Sequence, residues 1–433
     1  MTPQSSFMIL AAIDRRREEE LRRLLGSMND APGRVNPSNA LIPFSRFDEL
    51  HFSRLVILDD TTLDDIEAYD LPRREYPLYL AFLGDADGDA QAFFVRLATH
   101  AEKGLRAIFS CCEDFSLDTD LLRWMREHEK PSAASYVNWM GRTVRGVYEE
   151  AALHEALQRY IRDNAAALVG KSARETHAAV RTFVNEETAT GRLRLTPEQP
   201  TPLLWKLRDI AHLIGVPLLL LLGSPLLLVL GAILLMRLRF LEKTDPEICF
   251  RVDEAYSEKL AALEDHDVTN GFSAMGSMKP GLTRRWIASF VLFLLDYAAR
   301  HIYTRGRLAR VRTIHFARWV FLDDKKRMLF ASNYDGSLES YMDDFINKVG
   351  FGLNLVFSNG VGYPRTSFLV RGGAKEEQKF KNFLRRHQMP TQVWYNPRPG
   401  LTAADLERNI LLRKGAETPR MTEEEAREWA ALL

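Results

Sequence analysis

Cysteine is almost missing from this chain: three residues in 433, two of them adjacent at Cys111-Cys112 and the third alone at Cys249. No CxxC pair and no Cys/His ligand spacing exists, so neither a disulfide framework nor a zinc site is expected, and no metal is assigned. That pattern suits a reducing, cytoplasm-facing protein. An excess of either charge is also missing, with 58 basic and 58 acidic side chains. A dedicated nucleic-acid binder rests on surplus Lys and Arg, so nucleic acid is not an expected partner. The N-terminal apolar run is short and its charges follow it, so no secretory signal is expected. No Ser/His/Asp order, nucleotide loop or HExxH string appears. The DADGD string at Asp85 looks like a calcium loop, but its twelfth position is Arg96 and lacks the bidentate carboxylate.

One long uncharged run is present. Leu213–Met236 carries no charge over 24 residues, ~36 Å as a helix against a bilayer core of ~30 Å. It breaks at Gly223-Ser224-Pro225 and again at Pro217. Both flanks are basic, with Lys206 and Arg208 before it and Arg237, Arg239 and Lys243 after it.

The sequence on either side of this run is duplicated. HFSRLVILDD at 51–60 matches HFARWVFLDD at 315–324 in eight of ten positions, counting similar residues. Asp87-Gly88 falls on Asp335-Gly336, and Asp89 on Ser337 at the same helix-capping position. GLRAIFS at 104–110 falls on GLNLVFS at 352–358, and Trp124–Pro131 on Phe383–Pro390, with His128 on His387. Phe7 to His51 spans 44 residues and Phe272 to His315 spans 43, so register is kept along the unit.

Each copy reads as β–α–β–β–α–β, the split βαβ order of a ferredoxin-like unit, with LRAIFSCC at 105–112 and its counterpart GLNLVFS at 352–358 as fourth strands, followed by a helix and a short extended tail, SYVNWMG in the first copy. One sheet face would be left bare, and the two copies would cover each other. The expected fold is α+β: two tandem ferredoxin-like repeats packed as an intrachain α+β barrel, with an inserted apolar membrane hairpin. The boundaries are repeat 1 at 1–148, a helical linker at 149–202, the hairpin with basic flanks at 203–243, repeat 2 at 268–415, and a C-terminal helix at 416–433. A single crossing would separate the two sheets. A monotopic hairpin keeps both copies on the cytoplasmic side, with Leu213, Pro217, Gly223, Ser224, Pro225, Leu230 and Met236 inserted in the bilayer. A single span and a hairpin buried in a soluble core are the alternatives. The helix at Trp286–Ile302, apolar with basic and aromatic ends, suits either the membrane interface or packing on the sheet.

Period two puts His315, Ala317 and Trp319 on one face of their strand, and Phe316, Arg318 and Val320 on the other. Arg54 and Arg318 therefore fall on apolar faces and need carboxylates, for which Asp87 and Asp335 are the expected partners. These pairs either fasten the turn before the next helix or present an anion or cofactor contact. Trp394 and Tyr395, in the stretch TQVWYNPRPGLT, either line a pocket mouth or pack on an edge.

The patterns IHFARWVFLDD, LFASNYDGSLESYMDDFI and PTQVWYN resemble an uncharacterised bacterial family with this tandem arrangement. The tandem units are similar in fold to dimeric α+β barrel proteins: dye-decolorising peroxidases, chlorite dismutases and small cofactor-free monooxygenases. Gly84-Asp85-Ala86-Asp87-Gly88 fits the GxxDG string of the peroxidases. That resemblance implies haem, with His315 or His387 as ligand and Arg318 and Asp335 nearby. Three functions are expected on these grounds. The first is a membrane-anchored protein holding a lipid or lipophilic small molecule in a pocket lined by His51, Arg54, Trp319, Trp394 and Tyr395. The second is a haem-dependent or cofactor-free oxidoreductase. The third is a membrane-bound scaffold without a ligand, assembling as a homo-oligomer.

Overall fold

In the computed structural model, which describes residues 1–248 and 250–433, the protein is α+β and two open four-stranded antiparallel sheets form its centre. Cys249 lies outside the described residues. The first sheet contains β1 (Gln4–Ala12), β2 (Leu50–Leu58) and β3 (Tyr79–Asp87). The second contains β5 (Thr269–Ser277), β6 (Ile314–Leu322) and β7 (Arg327–Asp335). The fourth strands are exchanged. β4 (Ala134–Val137), from the first copy, pairs with β6, and β8 (Thr391–Tyr395), from the second copy, pairs with β2. The orders are β1-β3-β2-β8 and β4-β6-β7-β5.

Before each exchanged strand the chain touches the far edge of its own sheet. The Leu10 amide donates to the His128 carbonyl (3.0 Å), and the Lys130 amide to that of Met8 (2.8 Å). In the second copy the Met389 amide donates to the Ser273 carbonyl (2.8 Å). Each connection thus leaves one sheet and joins the other.

The segments 104–110 and 352–358 are not strands. The first lies in α3 (Glu102–Phe109), which follows α2 (Ala90–His100). The second ends α10 (Leu338–Phe357), a helix kinked at Val349. Leu105, Ile108 and Phe109 bury one stripe at i, i+3, i+4, a helical period that a short apolar run disguises. Expected capping does occur: Asp89 accepts from the Gln91 amide and Ser337 from that of Ser340.

The long strands are buried on both faces. Phe7, Ile9, Leu55, Ile57, Leu80 and Phe82 face the helices of the first copy, α1 (Glu18–Gly26), α2, α3 and α4 (Leu121–Glu127). Met8, Leu10, Val56, Leu58, Ala81 and Leu83 alternate to the other side. There they meet Met275, Val320, Leu322, Leu329 and Ala331 of the second sheet. This layer is filled with side chains.

Two arginines cross it. Arg54 of β2 donates to the Phe272 and Ser332 carbonyls (2.6 and 2.8 Å), and to Ser273 Oγ and Asn333 Oδ1. Arg318 of β6 makes the mirrored reach, to the Phe7 and Gly84 carbonyls and Asp85 Oδ1. The expected partners Asp87 and Asp335 are therefore wrong for these arginines. They lie two residues further along β3 and β7, on the same side but beyond guanidinium reach, and they take the histidines instead. The two crossings differ in charge, since Asp85 in one is Asn333 in the other. Burial and the nearby Arg318 charge push Arg54 down to about 9, which leaves it a cation at neutral pH. Asp85 bonds Arg318 directly, and its charge also favours the Arg54 cation.

Between the copies, α5 (Val144–Asp163) and α6 (Ala173–Ala189) pack with the C-terminal α12 (Ala403–Glu417) and α13 (Glu423–Ala430) around Leu157, Val180, Leu412 and Trp429. Two apolar helices follow, α7 (Leu203–Leu222) and α8 (Ser224–Thr244), meeting at Gly223. Both land on α9 (Leu282–His301). The Leu213 carbonyl accepts from Tyr297 (3.0 Å), and Leu238 packs on Ile287. Those landing points are ~15 Å apart along α9, whereas residues 213 to 238 would span ~38 Å if straight. The pair is therefore bent at Gly223, with its tip ~15 Å above α9. Its side chains are bare: Leu219, Leu222 and Leu228 are 70%, 71% and 73% exposed, and only Val216, Leu238 and Glu242 of the two helices are buried. α8 is long and apolar enough to cross a membrane. α9 has two faces, with Ala288 and Leu292 buried in the second-copy core and Trp286, Phe290 and Phe293 exposed.

Asp85→Asn should remove the one carboxylate that, among the described residues, lies between the crossing arginines. Unfolding in denaturant, in detergent, is expected to show a loss of about 3–5 kcal/mol. A loss below about 1 kcal/mol would mean that the crossing groups are not electrostatically coupled.

Candidate functional site

The two copies meet again at one end of the paired sheets, and equivalent residues converge there. β2 and β6 each carry a bulge, between Leu50 and Phe52 and between Ile314 and Phe316. The extra residue is a histidine in both, His51 and His315. A bulge re-aims the side chain it carries. His51 Nε2 lies 2.9 Å from Asp87 Oδ1, and His315 Nε2 lies 2.6 Å from Asp335 Oδ1. The second oxygen of each aspartate accepts the first amide of a helix: Val144 of α5 (2.9 Å) and Ala403 of α12 (2.6 Å). Each aspartate thus orients a histidine and anchors a helix N-terminus, where negative charge is favoured. With the carboxylate accepting at Nε2, a neutral ring carries its lone pair on Nδ1.

The aromatic neighbours are duplicated too. Phe52 and Phe316 meet at 5.8 Å, His51 lies 5.3 Å from Phe316, and His315 lies 5.4 Å from Phe52. After each exchanged strand the chain turns through Asn138…Gly141-Arg142-Thr143 in one copy and Asn396…Gly400-Leu401-Thr402 in the other. Thr143 and Thr402 cap α5 and α12. This Asn…Gly-x-Thr duplication was available in the sequence, but a one-residue length difference hides it.

These turns and the histidines enclose a pocket of about 60 Å³. That is room for roughly four water-sized groups. Arg142 is nearly buried within it. One guanidinium nitrogen, Nη2, pairs with Glu150, while Nε and Nη1 have no protein partner among the described residues. Asn138 Oδ1 and Arg398 Nε are also without partners there. Burial pushes Arg142 down from its usual range, and Glu150 opposes that. Buried donors without partners are rare in folded proteins. This site offers several, with two imidazoles beside them.

The other sequence candidates lie elsewhere. Trp319 is in the helix-side core against Phe330, 5.0 Å away, and Tyr395 stacks on Phe44 at 4.8 Å on the far side of the first sheet. Neither lines the seam pocket. Trp394 lies between the sheets, stacked on Phe52 at 5.5 Å and under Arg54 at 4.9 Å. It fits because Gly271 opposite has no side chain: a Cβ there would sit 2.9 Å from the indole. His387, the last residue of α11 (Glu377–His387), donates from Nδ1 to the Phe383 carbonyl (2.7 Å), and its outer edge presses on Gly276 beside a cavity of only 30 Å³. Burial pushes its pKa down.

Haem does not fit these residues. Ligand pockets of that class hold roughly 300–1,000 Å³. His315 is committed to Asp335 and His387 has no such space beside it. A larger groove of 440 Å³ lies at the opposite end of the sheets, but Glu113, Asp114, Asp323 and Asp324 line it and would repel propionates.

No family model matches the chain, and no curated protein matches it.

Both histidines are expected as Nε2–H tautomers in long-range ¹⁵N–¹H spectra at pH 8. Asp87→Asn should disturb the ring of His51 alone and Asp335→Asn that of His315 alone. An Nδ1–H ring in the unmodified protein would contradict this geometry.

Proposed function

We propose that the protein is a membrane-anchored binder of a small anion, a carboxylate above all, held at the seam between its two copies. The observation that carries this reading is Arg142, a nearly buried guanidinium that lines the pocket beside the paired histidines and has two nitrogens without a protein partner among the described residues. Arg142 and Arg398 supply donors, and the Nδ1 atoms and Asn138 Oδ1 supply acceptors for a protonated or hydroxylated ligand. A lipid between the sheets is the weaker reading, because side chains fill that layer.

The anchor in this reading is the bent pair α7–α8, a monotopic hairpin. Its tip ~15 Å above α9 matches one leaflet of a bilayer whose core is ~30 Å. The exchanged strands favour this over a single crossing. Two copies that complete each other's sheets must lie on one side, which is taken as the cytoplasmic side because both flanks are basic. The body is read as two ferredoxin-like repeats arranged like a dimeric α+β barrel folded within one chain.

Thermal unfolding with a panel of small mono- and dicarboxylates and phosphate tests the ligand. At least one should raise Tm by several degrees, and Arg142→Gln and Arg398→Gln should each abolish the shift. If no anion moves Tm, the ligand reading falls. Flotation with neutral vesicles tests the anchor. The full chain should float, and a chain with residues 204–243 replaced by a short Gly/Ser linker should stay in the soluble fraction.

A further inference from the structure

At the foot of α8 a short strand pair, Thr366–Ser367 with Arg371–Gly372, folds against the helix. Its turn is held by Glu242. That carboxylate accepts from Thr366 Oγ1 (2.8 Å) and from the Phe368 and Leu369 amides (2.8 and 3.0 Å). Phe368 and Leu369 both have left-handed backbone, with φ of 52° and 58°. Such conformations are costly for residues other than glycine, and here the buried carboxylate holds them. The result is directional. Leu369 is buried with Leu238 and Ile287, while Phe368 and Val370 point outward, 51% and 46% exposed.

Beside this turn is a recess of 340 Å³ walled by Arg239, Lys243, Arg365 and Arg371. Its one acid, Glu242, is already saturated by the turn and Arg239. Four cations against one carboxylate leave the recess at +3. Lys243 and Arg371 have no ion-pair partner among the described residues. Arg365 gives one nitrogen to the Asp245 carbonyl (2.7 Å). Arg239 lies 16 residues beyond Gly223. With the tip of the bent pair near the bilayer midplane, that places the recess ~15–20 Å below it, at headgroup depth.

We propose that this recess is a binding site for the phosphate of an anionic phospholipid, with Phe368 and Val370 entering the acyl region beside it. The proposal rests on the membrane reading given above. Charge, depth and the outward apolar turn coincide on one face, and the turn orients the two side chains before any lipid arrives.

Vesicle flotation with purified full-length protein tests it, using phosphatidylcholine alone and phosphatidylcholine with 30% phosphatidylglycerol. The unmodified chain should bind both and prefer the anionic vesicles. Lys243→Gln with Arg371→Gln, which breaks no ion pair among the described residues, should weaken binding to anionic vesicles by about thirtyfold and leave neutral vesicles unaffected. Arg16→Gln with Arg123→Gln, far from this face, should change neither. Phe368→Ser should weaken binding to both vesicle types. Equal losses from the two double variants, or none from Lys243→Gln with Arg371→Gln, would overturn the headgroup site and leave the anchor standing. Failure of the unmodified chain to bind either vesicle would overturn the membrane reading itself. Displacement from anionic vesicles by millimolar inorganic phosphate would make the ligand a soluble phosphate, contrary to the proposal.

Discussion

Each sheet borrows its last strand from the other copy, and that exchange constrains everything else in the molecule. β4 and β8 pair outside their own repeats. The arginines repeat the exchange one layer deeper, Arg54 reaching the backbone of β5 and β7 while Arg318 reaches that of β1 and β3. The receiving residues, Phe272 with Ser332 and Phe7 with Gly84, are ladder partners within their own sheets, and the arginine of the other copy bonds both members of each pair. Neither repeat is complete alone, so the inserted helices must leave the body and return to it. Asp85 is the charged member of this arrangement, and Asn333 marks where the duplication has diverged.

The same exchange creates the seam pocket. Once past its borrowed strand, each copy turns through an asparagine and a capped threonine into a helix, and the helix start is tied to an aspartate at the end of the third strand. Those aspartates fix the two bulged histidines. The site is thus assembled from positions that the strand register dictates. Arg142 falls on Leu401, and the second copy's guanidinium comes instead from Arg398, three residues earlier in its turn.

Much of the first three strands of each copy was legible in the sequence, because His-Phe-x-Arg and Asp-Gly recur at matching intervals. The face assignment of Arg54, Arg318, Trp319 and Val320 followed from period two alone. The fourth strand was not legible. Leu105, Ile108 and Phe109 satisfy a strand in composition and a helix in spacing, and only packing against the sheet decides between them. Strand exchange leaves no local trace at all, since β4 and β8 have the same alternation whichever sheet receives them. The arginine partners differ from expectation for a related reason: Asp87 and Asp335 lie on each arginine's own sheet, whereas the guanidinium crosses to the other.

In the proposed hairpin, both ends of the apolar helix pair lie on one side of the membrane because the two sheets complete each other. The most direct measurement is labelling by a membrane-impermeant maleimide in sealed vesicles, on a cysteine-free background with Glu198→Cys before the pair or Lys259→Cys after it. The account predicts that both positions react, or both are protected, in the same vesicle preparation. Labelling of one position and protection of the other would contradict it.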